Sequence, residues 1–349
     1  MKKMKDEKLF KLLRDYLIIY LPEQKCCSKN TIKSYRESLN ILLDFVIEKK
    51  GILLENITFS LLDHQMISEF LDWLEKERNC CISTRNHRLS CIRSFFKYAR
   101  NTDPVLIAHW NDLQKIPFKK DMKSKVIEFM SEKALKTVLA QPDTKTRKGI
   151  RDLFFMVLMY DTAGRNREIL DLKVKDFSVD SKTPRVYLTG KGTKKRVVPL
   201  MQKTVDYFHN YLDIYHRSEG YDPNQYLFYT TRHGLKQQMS DDNVARFMNK
   251  YCQSAKKICE DVPLSVHPHM FRRTRAMHLY RAGMPLALLS EWLGHENLET
   301  TLIYAYADTE MKREAIQKAT GCKNPLKTEE NPAYWKNDDE MIRKLYGLK

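Results

Sequence analysis

Apolar residues along this chain recur mostly at intervals of three and four, the spacing of helices with one buried face. Ile32, Tyr35, Leu39, Leu42 and Val46 form one such stripe, with Ser28 or Asn30 placed to cap its start and Gly51 to end it. Ile67, Phe70, Leu71 and Leu74 mark a second helix. A third starts at Ser83, with Leu89, Ile92 and Phe96 on one face and Arg85, His87, Arg88, Arg93, Lys97 and Arg100 on the others. With an earlier helix over 7–20, the pattern predicts a small domain of four or five helices, one of them basic. That basic face is either a solvated surface or a phosphate-binding one.

The periodicity weakens after residue 100. Pro104 and Pro117 interrupt it, and 118–124 is polar and basic. This predicts a linker between a helical domain over 1–117 and a second domain over 125–321. In the second domain Ser131 caps a short helix, and 150–160 is apolar all round, as a central buried helix is. Residues 185–189 and 196–200 read as strands joined by GKGTKK, a hairpin with a basic, glycine-bearing turn. Helices follow over 202–217, 241–257, 269–282 and 286–293, with Gly283 and Gly294 at helix ends. The tail, 322–349, is polar, with a terminal helix over 338–348. The predicted fold is mostly α, with a small β-hairpin sheet in the second domain.

Charge then narrows the partners. Lys and Arg number 61 against 44 Asp and Glu, a net +17. Both predicted domains share the excess, so a polyanion held between them is expected, nucleic acid first and an anionic membrane surface second. The longest apolar run, LFFMVLMY over 153–160, is far short of the ~20 residues of a spanning helix. The N-terminus, MKKMKDEKLF, has no apolar signal region. A cytoplasmic protein with no membrane partner is therefore expected. The 8 cysteines include no C-x-x-C and no pair with histidine at zinc-finger spacing, which fits reduced thiols and no metal.

Four patches of the second domain hold chemistry. In DTAGRNREILDL, Arg165 follows the small pair Ala163-Gly164, and Glu168 comes three residues later on a new helix. A guanidinium at a helix start is placed to grip a phosphate. In TGKGTKKR, Gly190 and Gly192 let the turn project Lys191. In HPHMFRRTRAMH, His269 and Arg272 share a helix face, an anion site that also moves a proton. In LGHENLETTLIYAYA, His295 follows a helix-ending glycine and Tyr304 lies on the next helix. Each patch alone has an ordinary explanation: a surface ion pair, a charged hairpin tip, a core tyrosine.

Together, the order Arg … Lys … His-x-x-Arg … Leu-Gly-His … Tyr resembles the tyrosine recombinases, also called the phage-integrase or lambda-integrase family. The resemblance covers 131 to about 321. SKNTIKSYRESLNILLDF and STRNHRLSCIRSFFKYA, in addition, look like that family's core-binding domain. It implies a core-binding DNA-binding domain and a catalytic domain closing as a C-shaped clamp on double-stranded DNA. It implies Arg165, Lys191, His269, Arg272, His295 and Tyr304 as catalytic residues, and Glu168 as a supporting acid. Arg85, His87, Arg88, Arg93, Lys97, Lys119, Lys120, Lys195 and Arg273 are candidate DNA contacts. Two departures stand out: Ala163 where the family often has glycine, and Arg273 where it often has histidine.

The residues make that chemistry reasonable. Arg165 and Arg272 would neutralise a phosphodiester as it becomes pentavalent. A phenol with pKa ~10 needs a cationic pocket and a base, His269, to become a nucleophile. Lys191 would protonate the departing 5′-hydroxyl, and His295 would bond the phosphate or position Tyr304. The resemblance further implies a homotetramer on two specific recombination sites, with no cofactor and possible accessory recombinases or directionality factors. HLYRAGMPLALLSEWLGHENLETTLIYAYADTEMK looks most like recombinases of transposons and other mobile elements. A Xer-type chromosome-dimer resolvase, a type IB-like topoisomerase and a non-recombining DNA-binding protein are the alternatives.

Overall fold

The computed structural model describes residues 4–120, 127–190, 194–217 and 222–307. The chain divides into two compact units, Met1–Ser124 and Lys125–Lys349. The first is helical. Helix α1 (Glu7–Asp15) is capped by Asp6, which accepts from the Leu9 N–H at 3.0 Å. It runs on into a wider, π-type turn over Tyr16–Gln24 that contains Pro22. Then come α2 (Lys29–Lys50), α3 (His64–Lys76), α4 (Ile82–Thr102) and α5 (Ile107–Gln114). Ser28, not Asn30, caps α2, and Gly51 ends it at φ 66°, a left-handed conformation that favours glycine. Tyr16, Phe45, Phe70, Phe95 and Phe96 fill the core, with α4 packed against α2, α3 and α5.

The basic helix α4 buries one of its arginines: Arg85, read from the sequence as standing on another face, shares the stripe of Leu89, Ile92 and Phe96. Arg85 is buried at 4% exposure, donating to the Pro117 carbonyl at 2.8 Å with Glu75 3.8 Å away. Arg93 donates to the carbonyls of Leu113 (3.0 Å), Gln114 (3.0 Å) and Ile116, closing the C-terminal end of α5. Arg88 bonds Ser38 Oγ on α2 at 2.8 Å. These three arginines, candidate DNA contacts in the sequence, spend donors on groups within the unit, Arg93 on carbonyls left over at the end of α5. Of the expected set on α4, His87 and Lys97 are exposed.

The second unit is built round α7 (Arg147–Thr162), preceded by α6 (Glu132–Leu139), which Ser131 caps as expected. Phe154, Phe155, Met156, Leu158 and Met159 of α7 are fully buried. After α7 come α8 (Asn166–Leu170), β1 (Phe177–Ser178), β2 (Arg185–Thr189), β3 (Lys195–Pro199) and α9 (Gln202–Tyr215). The strands form an antiparallel sheet in the order β1-β2-β3, with Leu188 opposite Arg196. A second hairpin, β4 (Tyr229–Arg232) and β5 (Leu235–Gln238), turns through His233 and Gly234, both at positive φ. The chain ends its described part with α10 (Asp241–Lys256), α11 (Pro268–Arg281), α12 (Leu286–Leu293) and α13 (Glu299–Ala307). Helix α7 packs against α9 and α11, which carries its C-terminal end to the site. The 338–348 helix expected in the tail lies outside the described residues. No helix among the described residues is long and apolar enough to cross a membrane.

Candidate active site

The first arginine is aimed by a tight turn at the end of α7. Ala163 takes a left-handed conformation at φ 50°, φ/ψ space that L residues other than glycine, Asn and Asp rarely enter. Gly164 has no room for a side chain, since a Cβ there would lie 2.6 Å from Ile169 Cδ1. Arg165 thereby becomes the residue capping α8. Glu168 accepts from the Arg165 backbone N–H at 2.7 Å and from its Nη1 at 2.7 Å. Arg196 on β3 forks onto both oxygens of the same carboxylate, at 2.8 and 2.7 Å. Burial alone would raise the pKa of Glu168, but the hydrogen bonds and charge of Arg196, then those of Arg165, hold it at about 2. Arg196 was not singled out in the sequence, where it ends the run KKR and looks like its neighbours.

Arg272 on α11 is 1% exposed and donates to the Ala163 carbonyl at 2.7 Å and the Leu293 carbonyl at 2.6 Å. It thus ties the ends of α7 and α12 together. Burial, then Arg165 and Arg196, lower its pKa to about 10, so it remains a cation at neutral pH. Arg165 Nη2 reaches the Gly294 carbonyl at 3.3 Å. Gly294 ends α12 at φ 62°, and His295 after it bonds Thr301 Oγ1 at 2.8 Å. Burial, then Arg272, Arg165, Arg196 and His269, drive His295 down to about 4. His269 is exposed as a residue, but partial loss of water around its ring, then Arg273, Arg272, His267 and Arg165, lower it as well, to about 4. Both imidazoles are neutral at pH 7 and free to accept a proton.

Tyr304 on α13 is 2% exposed, packed among Ala163, Ala276, Met277, Leu289 and Leu293. Burial raises its pKa while Arg272 and Arg273 pull the other way, and the net shift is upward. The expectation that cationic surroundings would favour its ionisation is therefore corrected: in this conformation burial wins. Lys191 lies outside the described residues. Gly190, just before it, stands against the arginine–glutamate cluster, where a Cβ would lie 3.2 Å from Glu168 Oε1. A cleft of about 610 Å³ opens here, lined by Arg165, Lys195, Arg196, His295, Glu296 and Thr300 among others. Lys195 is thus on the cleft, and Arg273 is half-buried, its charge acting on His269 and Tyr304. In the first unit Lys120 is exposed, and Lys119 pairs with Glu75 at 2.6 Å.

Comparison with known proteins identifies the family. Residues 128–311 match the model of the phage integrase family, and 15–102 match that of the phage integrase N-terminal SAM-like domain. The integrase/recombinase y4rC of Sinorhizobium fredii is 31% identical over 317 residues, 90% of this chain and 93% of the relative. The crystal structure of XerH site-specific recombinase bound to palindromic difH substrate aligns over 90% of each chain, with 20% identity and a TM-score of 0.63. The Tn1549 transposon integrase in complex with transposon right end DNA aligns over 84% of this chain and 93% of its own, with 17% identity and a TM-score of 0.61. A family model that spans more than half of the chain, and a relative this similar over nearly its full length, leave one assignment: the chain belongs to the phage integrase family and is a tyrosine site-specific recombinase.

Proposed function

We propose that this recombinase cuts and rejoins double-stranded DNA at specific sites through a 3′-phosphotyrosyl link to Tyr304, in the service of a mobile genetic element. One observation carries the reading. Arg165, Arg272, His269 and His295, from three separate stretches of sequence, share one electrostatic field beside Tyr304, and the buried acid there, Glu168, is occupied by Arg196. Such a site attracts a phosphodiester and leaves its imidazoles unprotonated.

In this proposal Arg165 and Arg272 hold the non-bridging oxygens and stabilise the pentavalent transition state. His269 takes the proton of Tyr304, whose oxygen attacks phosphorus. The bond to the 5′-oxygen breaks, and Lys191 supplies the proton for that leaving group. His295 bonds the phosphate. The phosphotyrosyl link keeps the energy of the broken bond, so a 5′-hydroxyl rejoins it without ATP. Because burial raises the pKa of Tyr304, the bound phosphate and a shift of α13 accompany its activation. Residues 1–117 act as the DNA-binding domain, 118–124 as the connection and 125–321 as the catalytic domain, in a tetramer working in the cytoplasm, with or without accessory recombinases or directionality factors. The mobile-element role is supported by the resemblance carried by the sequence over 278–312.

The test is a nicked suicide duplex taken from the ends of the DNA segment that carries the gene, incubated with the protein in EDTA. A covalent protein–DNA adduct is expected, absent with Tyr304→Phe. No adduct, or equal adduct from the variant, refutes the chemistry. Sequencing junctions in expressing cells tests the role: excised circles support it, and resolution of chromosome dimers alone would assign a Xer-type function.

A further inference from the structure

A second cationic cleft lies at the opposite end of α7 from the catalytic arginine. It has a volume of about 620 Å³ and is lined by the start of α7, by β4 and by one face of α10. Five cations face it: Arg147, Lys148, Arg151, Arg246 and Lys250. The single carboxylate lining it, Asp152, is buried and occupied, accepting from Arg151 Nη2 at 2.7 Å and from the Tyr251 hydroxyl at 3.1 Å. Arg147 is held in place by the Ile214 carbonyl at 3.0 Å and by stacking over the Tyr215 ring. Lys148, Arg246 and Lys250 are exposed and have no carboxylate partner among the described residues. Thr230, Thr231 and Asn243 add neutral donors to the same wall. Three elements distant in sequence thus converge on an open space with an excess of positive charge.

We infer that this cleft holds the phosphodiester backbone of DNA, at a position separate from the scissile phosphate. The inference rests on the DNA reading above. Helix α7 has 16 residues, so at 1.5 Å per residue its two ends are about 24 Å apart. One phosphate cannot serve both ends. The space exceeds what one phosphate fills, and guanidinium, ammonium and hydroxyl donors without ordered carboxylate competitors suit a run of phosphates rather than a base edge.

The experiment measures binding of the full chain to a labelled 40-base-pair duplex of arbitrary sequence over a range of salt concentrations. Each phosphate contact contributes about 0.9 to the slope of log affinity against log salt. The variant Lys148→Ala/Arg246→Ala/Lys250→Ala should have a slope smaller by roughly 2 to 3 on that basis. A control, Lys133→Ala/Lys175→Ala/Lys182→Ala, removes equal charge from exposed positions outside the cleft and should change the slope less. Should the triple variant not fold, Lys148→Ala and Lys250→Ala, single changes of exposed side chains, should each lower it by about 0.9. Adduct formation by the control variant on the suicide duplex should be unchanged. A slope equal to that of the unaltered protein overturns the inference. So does the same unchanged slope together with tripolyphosphate binding that the cleft variant abolishes, which would assign the cleft to a small polyphosphate. Failure of the unaltered protein to form any adduct would refute the recombination chemistry without altering the slopes.

Discussion

Replacing Glu168 by Gln tests the electrostatic core of the site. The carboxylate is 4% exposed and sits under four donors: two from the Arg196 fork, the Arg165 guanidinium and the Arg165 backbone N–H. Its pKa falls from 4.5 to about 2 in the folded protein. At 1.36 kcal/mol per pKa unit, that depression corresponds to about 3 kcal/mol of stability at neutral pH. An independent route agrees: removing one partner of a buried ion pair costs about 3–5 kcal/mol. The folded-state pKa is the lower one, so the contribution is complete above the unfolded value and is lost as the pH falls through the folded value. For a unit of this size about 3 kcal/mol corresponds to a melting shift of roughly 6–12 °C. Calorimetry on the full chain should show Glu168→Gln lowering the transition of the second unit by that amount at pH 7, with the first unit as internal standard. At pH 3 the gap should shrink by more than half, because the unfolded carboxylate is then protonated. Equal midpoints at pH 7, or a gap that does not narrow in acid, would refute the reasoning.

Other outcomes follow from the same geometry. Ala163→Gly relieves a left-handed residue but loses a buried methyl, so stability should stay within about 1 kcal/mol and cleavage persist, whereas Ala163→Val should cost more than about 2 kcal/mol in a urea titration. Gly164→Ala pushes a Cβ to 2.6 Å from Ile169 Cδ1 and should reduce adduct formation, with partial recovery in Gly164→Ala/Ile169→Val, which removes that atom. His269 and His295, both held near 4, should leave the adduct rate independent of their titration from pH 6 to 8. Their neutral forms stabilise the fold above the unfolded value near 6.5, and that stability should be lost as the pH drops towards 4. Arg93→Ala strips donors from the Leu113, Gln114 and Ile116 carbonyls and should destabilise the first unit by about 2–3 kcal/mol, while Lys97→Ala should leave its melting unchanged and alter only DNA affinity.

What the sequence revealed and what it hid divide along a physical line. Helix ends were legible because their hydrogen bonds are local: Ser28 to Thr31, Ser131 to Ala134, and the left-handed glycines at 51 and 294. Arg165, His269, Arg272 and His295, which share one electrostatic environment in the fold, could be picked out as candidates because their motifs are short and ordered. The β4–β5 hairpin was not, since YTTR and LKQQ have no apolar alternation and are held by their turn and ladder. Charge was the least legible feature. A helical period sets Arg85 on the same stripe as Leu89, Ile92 and Phe96, at i, i+4, i+7 and i+11, so its burial follows from its spacing, but its partners and those of Arg93 are carbonyls and an acid that only the folded chain brings near. Arg196 is the same case at the site: adjacent to Lys195 in sequence, it points its fork at Glu168 while Lys195 remains exposed. A cation bonded to a carbonyl still adds to the net +17, but it has surrendered its donors. Long-range attraction for a polyanion therefore follows the charge count, while the number of phosphates gripped follows the smaller set of cations with free N–H groups. The salt slope measures the second quantity, and it should fall well below the count of basic residues.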